Sequence, residues 1–236
     1  MKTDLQPTEQ SVAAGLSPFY EQLLQFSLFK GLSRAELLQM AGNTRFGFQK
    51  IPAGKVVVQE GQMCHQLYFL VKGTLEIERS SDDHSYSMTE QLQAPWQFQP
   101  ESLFGLSLRF TMTVRTSTDC HFILLSKDEV LRLFDELFIF RLNFLNQLAL
   151  QSQQYGHRIW RCAPQHLSDR LARFFIDHAV YPAGRKELHI LMRQLAVEVN
   201  DSRLNVSNAL NAMRQKGLVE LYRSRIVIPL LERLFM

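Results

Sequence analysis

Hydrophobic positions along the chain change period twice. Up to Thr44 they follow helical spacing. One short helix is predicted from Ser17 to Phe26, with Ser17 as N-cap and Pro18 in the first turn. A second starts at Ser33, where Glu36 three residues on completes a capping box, and carries Leu37, Leu38 and Ala41. From Thr44 to Ser126 the period becomes two. Phe46/Phe48, Val56/Val58, Leu67/Phe69/Val71 and Leu75/Ile77 alternate with polar residues, and turn signals at Pro52–Gly54, Gly61, Gly73 and Asp82-Asp83 separate the runs. Further strands are predicted at Ser85–Leu92, Phe110–Thr116 and His121–Ser126. Seven or eight short strands at this interval predict a sandwich or a barrel closed on itself.

After Ser126 the helical period returns and persists. Ser126 with Glu129 reads as another capping box, and from Leu137 to about Trp160 there is no proline and one glycine. Leu137, Phe140, Phe144, Leu148, Gln151 and Tyr155 recur every three or four residues, a stripe that must be buried against the barrel, a second subunit, or both. Both are expected, with these six residues as the dimer helix. Pro164 breaks the pattern. An amphipathic helix follows from Gln165 to Val180, then a short strand at Leu188–Leu191. Residues 1–15 are polar and aperiodic and read as a loose tail.

The last seventy residues hold the chemistry. Arg193–Val199 reads as a short helix ended by Asn200, a residue that tolerates a left-handed backbone. Asp201 or Ser202 caps a second helix that runs to about Lys216 and stops at Gly217. Leu218–Leu221 and Ile226–Ile228 flank Arg223-Ser224-Arg225 as a hairpin. Helix, tight turn, helix and hairpin in that order make a winged helix-turn-helix. At 100° per residue, Val206, Ala209, Leu210 and Met213 share one arc of the second helix. Leu204, Ser207, Asn208 and Asn211 share the opposite arc, with Arg203 on its flank and Asn205 beside it. Amide, hydroxyl and guanidinium groups on an outward face suit base edges, and a leucine suits a thymine methyl. Arg223 and Arg225 stand where a backbone phosphate would lie. An ordinary solvated face, the plainer alternative, would more typically carry Glu and Lys, and it leaves the exposed Leu204 unexplained.

Charge agrees with this placement. The chain of 236 residues carries +3 net, yet from Ala163 onward eleven Lys+Arg face seven Asp+Glu, while the remainder is slightly acidic. The 46% hydrophobic and 21% charged composition excludes wholesale disorder. No apolar run reaches the roughly 18–20 residues a membrane span needs, and the first residues carry no leader-like segment, so a cytoplasmic protein without membrane partners is predicted. Cys64, Cys120 and Cys162 are too few and too scattered for a disulfide framework or a cysteine zinc site. The seven histidines show no metal-ligand spacing, and no glycine loop cradles a phosphate, so neither a metal nor an enzymatic activity is expected. His65 and His84 could ligate a haem, but surface histidines near turns explain them better.

Two stretches carry a family resemblance: Gly61-Gln-Met-Cys-His-Gln-Leu-Tyr-Phe-Leu-Val-Lys-Gly-Thr-Leu-Glu-Ile77, and Arg193-Gln-Leu-Ala with Asp201 to Asn208 and Lys216-Gly-Leu-Val. From about Phe29 to Ile228 the chain resembles the cyclic AMP receptor protein/FNR superfamily of bacterial transcription regulators. The resemblance implies an α+β fold. An N-terminal double-stranded β-helix, a cyclic-nucleotide-binding-like jelly roll, leads through a long dimerisation helix to a C-terminal winged helix-turn-helix. The corresponding domains are a tail over 1–15, a sensor barrel over 16–134, the long helix over 135–162 and a DNA-binding domain over 163–236. It further implies a homodimer on a two-fold symmetric DNA operator, an effector in the barrel, and contact with RNA polymerase. Arg203 matches the family's serine-arginine pair, whereas Leu204 and Asn208 replace its acidic and basic neighbours.

The effector pocket departs further from the family. Glu101 can stand for the ribose ligand, followed by Ser102, but Pro100 replaces a glycine. The phosphate-binding arginine position holds Phe110, with Thr111 after it. Arg109 lies one place off and would point to the other face of a strand. Without that guanidinium a cyclic phosphate loses its bidentate, charge-assisted partner. Tyr155 falls where the family places a hydroxyl facing the base. These departures argue against cyclic AMP and leave the effector unknown, with no cofactor expected. Two alternatives remain: a cyclic-nucleotide receptor using Arg109 through a register shift, and a protein-docking scaffold whose helix-turn-helix does not bind DNA.

Overall fold

The computed structural model describes residues 18–235; the predicted tail over 1–15 and the Ser17 cap lie outside them. Helix α1 (Pro18–Leu23) and α2 (Arg34–Asn43) precede the strands. The Ser33 capping box forms in full, with the Glu36 backbone N–H donating to Ser33 Oγ and the Glu36 carboxylate accepting from the Ser33 N–H at 2.7 Å. Eight strands follow: β1 (Gly47–Ile51), β2 (Val56–Val58), β3 (Gln66–Lys72), β4 (Thr74–Ser80), β5 (Tyr86–Gln93), β6 (Trp96–Gln97), β7 (Thr113–Thr116) and β8 (Cys120–Ser126).

Strand β3 reads as an almost unbroken apolar run because both its faces are buried. Phe69 meets Phe26, Phe29 and, beyond Phe29, Phe140 on the helical side, while Tyr68 stacks on Phe98 at 5.1 Å and lies edge-on to Phe122 inside the barrel. Gly73 ends β3 at φ +110°, where a Cβ would lie 2.5 Å from Cys120 Sγ and 2.7 Å from the Asp119 carbonyl, so only glycine fits. Phe48, expected to point inward, is 68% exposed on the edge strand β1.

The barrel is not closed on itself. One sheet runs β1-β8-β3-β6. The other continues into the C-terminal part, in the order β10-β11-β9-β5-β4-β7-β2, where β9 is Lys186–Ile190, β10 Glu220–Tyr222 and β11 Arg225–Ile228.

Helix α3 (Lys127–Glu136) is capped by Ser126, but only half of the expected box forms. Glu129 donates its N–H to Ser126 Oγ, whereas its carboxylate turns to Arg132 at 3.3 Å. Helix α4 (Phe138–Trp160) then runs 23 residues. Its expected dimer stripe is corrected by the structure. Leu137, Phe140 and Phe144 are buried in the barrel core, with Phe140 against Phe29 and Phe144 against Phe104 and Phe134, and Leu148 packs on the same core. Gln151 donates to Glu101. The first four residues of the stripe serve the chain's own core, because the barrel supplies an aromatic surface at the same spacing, whereas Gln151 is half-buried and Tyr155 is exposed. Helix α5 (Leu167–His178), α6 (Met192–Glu198) and α7 (Arg203–Gln215), with β9, β10, β11 and a final 3-10 turn at Leu231–Phe235, surround a second core of Leu171, Phe175, Leu195, Val206, Leu210 and Ile226.

Candidate nucleic-acid interface

Helix α6 ends in a Schellman turn. Asp201 N–H donates to the Ala196 carbonyl, Asn200 N–H to Val197, and Asn200 takes φ +50°. Ser202 then caps α7 by accepting from the Asn205 N–H at 3.1 Å. At the other end Gly217, at φ +69°, closes a second Schellman turn in which Leu218 N–H donates to Met213. Two signals local to the sequence therefore fix both ends of α7, and three buried residues, Val206, Leu210 and Met213, fix its rotation.

Arg203, Leu204 and Asn208 are exposed, Leu204 by 69%, and Ser207 and Asn211 are half-buried beside them. Asn211 Nδ2 donates to the Ser207 carbonyl, one turn back. Asn205 does not belong with this face. Its amide donates to Asp201 Oδ1 at 2.8 Å and so helps to close the helix start. Arg225 is likewise engaged: it pairs with Glu187 at 3.2 Å and lies 4.5 Å from the Tyr222 ring, because β11 places it beside β9 in the sheet. Arg223, at the tip of the β10–β11 hairpin, is exposed. Arg193, Arg203, Arg214, Lys216 and Arg223 enter no ion pair among the described residues, which leaves α6, α7 and the wing with cations available to a polyanion.

Reading by periodicity missed Arg170. From α5 it donates Nε–H to the Val199 carbonyl at 3.0 Å and Nη1–H to Gln165, and it pairs with Asp201. One guanidinium thus ties α5 to the turn between α6 and α7. Hydrogen bonds from Asn205 and from the Ser202 N–H, then the Arg170 charge, hold the Asp201 carboxyl below the usual carboxylate range. The only signal in the sequence is an acid in the turn preceding the second helix.

The barrel residues separate. Phe110 is buried edge-on to Tyr68, and Phe98, Met112 and Ser102 are buried too. Arg109 and Thr111 do not line this interior. Arg109 is exposed and donates to the Gly61 carbonyl at 2.7 Å; Thr111 is exposed and held by the Gln99 amide. The expected strand from Phe110 begins only at Thr113. Arg109 forms an isolated antiparallel bridge with Met63, and the irregular backbone after it leaves Arg109 and Thr111 outside while Phe110 and Met112 are buried. Glu101 and Tyr155 line a polar cleft of about 250 Å³ between the barrel and α4, with Arg79, Gln147 and Arg158. Tyr155 is exposed within it, its ring 5.7 Å from the Arg158 guanidinium.

The opposite face of α4 is uncovered. Phe138, Leu142, Leu145, Ala149, Ser152, Gly156 and Ile159 are all exposed and spaced alternately by four and three, an a/d seam one face round from the expected stripe. Among the described residues no helix is long and apolar enough to cross a membrane, and no group of three or more His, Cys, Asp or Glu is placed to hold a metal ion.

The cyclic nucleotide-binding domain model matches residues 48–136, and the Crp-like helix-turn-helix domain model matches residues 169–235. The cAMP-activated global transcriptional regulator of Haemophilus influenzae is 21% identical over 193 residues, 78% of this chain and 85% of that protein. The catabolite activator protein of Thermus thermophilus is 20% identical at a TM-score of 0.52, covering 86% of this chain and 93% of that one. A crp/fnr-family regulator from Eubacterium rectale is 20% identical at 0.51, covering 89% and 96%. These two structures share the fold described above over most of both chains.

Proposed function

The chain belongs to the CRP/FNR superfamily of DNA-binding transcription regulators, and from that premise we propose a homodimer that reads a two-fold symmetric operator without cyclic AMP. The outward face of α7 carries this reading. Asn208 offers an amide for adenine, Arg203 a guanidinium for guanine or a phosphate, and Leu204 a methyl surface for thymine. Arg223 on the wing meets the backbone. Helix α7 enters the major groove, about 12 Å wide, with its first turn foremost. The family models point to a regulator and not to an enzyme.

Dimerisation uses the exposed seam of α4. Phe138, Leu142 and Leu145 supply the apolar area, and Ala149, Ser152 and Gly156 let two helices approach closely toward the C-terminal end. The effector proposal is negative for cyclic nucleotides. Phe110, at the position where the family resemblance puts the phosphate-binding arginine, is buried and apolar, and Arg109 donates to the Gly61 carbonyl on the outer surface, which also weighs against the register-shift alternative.

Selection of bound fragments from random duplex DNA tests the whole reading. A symmetric consensus should emerge, with affinity falling steeply as salt rises. Asn208→Ala should relax sequence preference at one position, whereas Arg223→Ala should weaken all duplexes about equally. Identical behaviour of the two variants, or no enrichment at all, overturns it.

A further inference from the structure

The reading head and the barrel are joined by more than a linker. Strand β9 pairs antiparallel with β5 over five residue pairs, from Tyr86 opposite Ile190 to Glu90 opposite Lys186. The cores interlock across this seam. Met88 of β5 is buried in the winged-helix core, and Val180 packs against the barrel core.

One end of the seam is keyed by charge. Lys186 and Glu90 form an ion pair at 2.7 Å, their side chains 1% and 2% exposed. Glu90 also accepts from the backbone N–H of Val180 at 2.6 Å and of Tyr181 at 3.0 Å, and Lys186 donates to the Ala183 carbonyl at 2.9 Å. A buried pair so fully satisfied adds little net stability, but breaking it leaves an uncompensated charge, so it selects one register over others. At the other end Tyr86 Oη meets His178 Nε2 at 3.1 Å. The connection from α4 to α5 is braced as well: Arg158 and Arg173 both pair with Asp177, and Arg173 donates to the carbonyls of Arg158, Arg161 and Cys162.

We propose that β5 is a positioning element for DNA reading. The seam, keyed by Glu90 and Lys186, fixes the orientation of α7 relative to the dimer axis on α4 and so sets the half-site separation that the dimer accepts. The inference rests on the dimeric reader proposed above. Half-site spacing is a geometric property of the protein, since each added base pair turns one half-site by roughly 35° and moves it by about 3.4 Å. A head hung only on the segment 161–166 could follow such displacements. A head that shares a sheet with the barrel cannot.

The test uses the full chain and duplexes that carry the half-site selected by the wild type, with the two copies moved apart or together by one or two base pairs. The wild type should favour one spacing by about tenfold or more, and Glu90→Ala should bind all spacings within about threefold of one another, with unchanged base preference inside each half-site. The double variant Glu90→Gln with Lys186→Met removes both buried charges and keeps one amide oxygen as acceptor for the Val180 or Tyr181 N–H, and should regain most of the preference. Should Glu90→Ala fail to fold, a disulfide across the seam (Ser87→Cys with His189→Cys, directly opposed in the register) decides, because the cross-linked protein should keep both affinity and spacing preference. A wild-type spacing profile in Glu90→Ala, or loss of DNA binding on cross-linking, overturns the proposal. A wild type that binds no duplex overturns the dimeric reader itself.

Discussion

Arg109 and Phe110, adjacent in the chain, leave the barrel wall in opposite directions: Arg109 donates to the Gly61 carbonyl on the outside, and Phe110 is buried edge-on to Tyr68 within. The inner position is therefore apolar where an anion would need a cation, and the ring fills it. Calorimetric titration with cyclic AMP or cyclic GMP should give no binding heat at millimolar ligand. Phe110→Ala should lower stability by about 3–5 kcal/mol through the cavity it leaves, read from the denaturation midpoint.

Leu145→Glu should produce a monomer. The residue is 57% exposed at the centre of the a/d seam of α4, so the substitution leaves the barrel core intact while placing two like charges at a helix pair. Size-exclusion chromatography with light scattering should give half the wild-type mass and an unchanged denaturation midpoint at low protein concentration. Phe144→Glu, on the buried face, should instead unfold the barrel.

The turn before α7 should weaken in acid. Because the Asp201 carboxyl is held below its ordinary value in the folded chain, its contribution is complete above the unfolded carboxylate range, about pH 4, and is lost as pH falls through the lowered folded value. The stability curves of wild type and Asp201→Asn should thus lie a constant distance apart well above about pH 4 and converge as pH falls through the lowered folded value. Arg170→Ala should reduce DNA affinity without changing which bases are preferred, since Arg170 holds the turn and lies apart from the reading face.

Thiol labelling of the native protein at pH 8 should modify Cys162 alone. Burial pushes the Cys64 thiol up to about 11, and burial also raises Cys120, whereas Cys162 is exposed. Rapid reaction of two or three thiols before unfolding would contradict the packing described here.

What could be read from the sequence was local. Ser33, Ser202, Asn200 and Gly217 act on backbone groups within a few residues, so the helix ends followed from residue type and spacing. The inward arc of α7 followed from one period and one core. Helix α4 resisted because it is apolar on two faces, and the period alone does not say which face meets the barrel. Phe140 and Phe144 went inward because the aromatic surface of Phe29, Phe104 and Phe134 was waiting there, a match between residues far apart in sequence. Asn205 and Arg225 looked free for the same reason: Asp201 and Glu187, which engage them, are one turn and one strand away. The β5–β9 pairing left no trace in composition.

Met88 carries a practical consequence. Although it sits in the β4–β5 hairpin of the barrel half, its side chain is a filling piece of the other half's interior, so the seam between modules does not coincide with the proline that separates them in the chain. A chimaera that grafts a foreign head after Pro164 would inherit a hairpin cut for the old one, with Glu90 buried and nothing opposite it. Exchange of heads within such proteins has to carry β5 along as part of the graft.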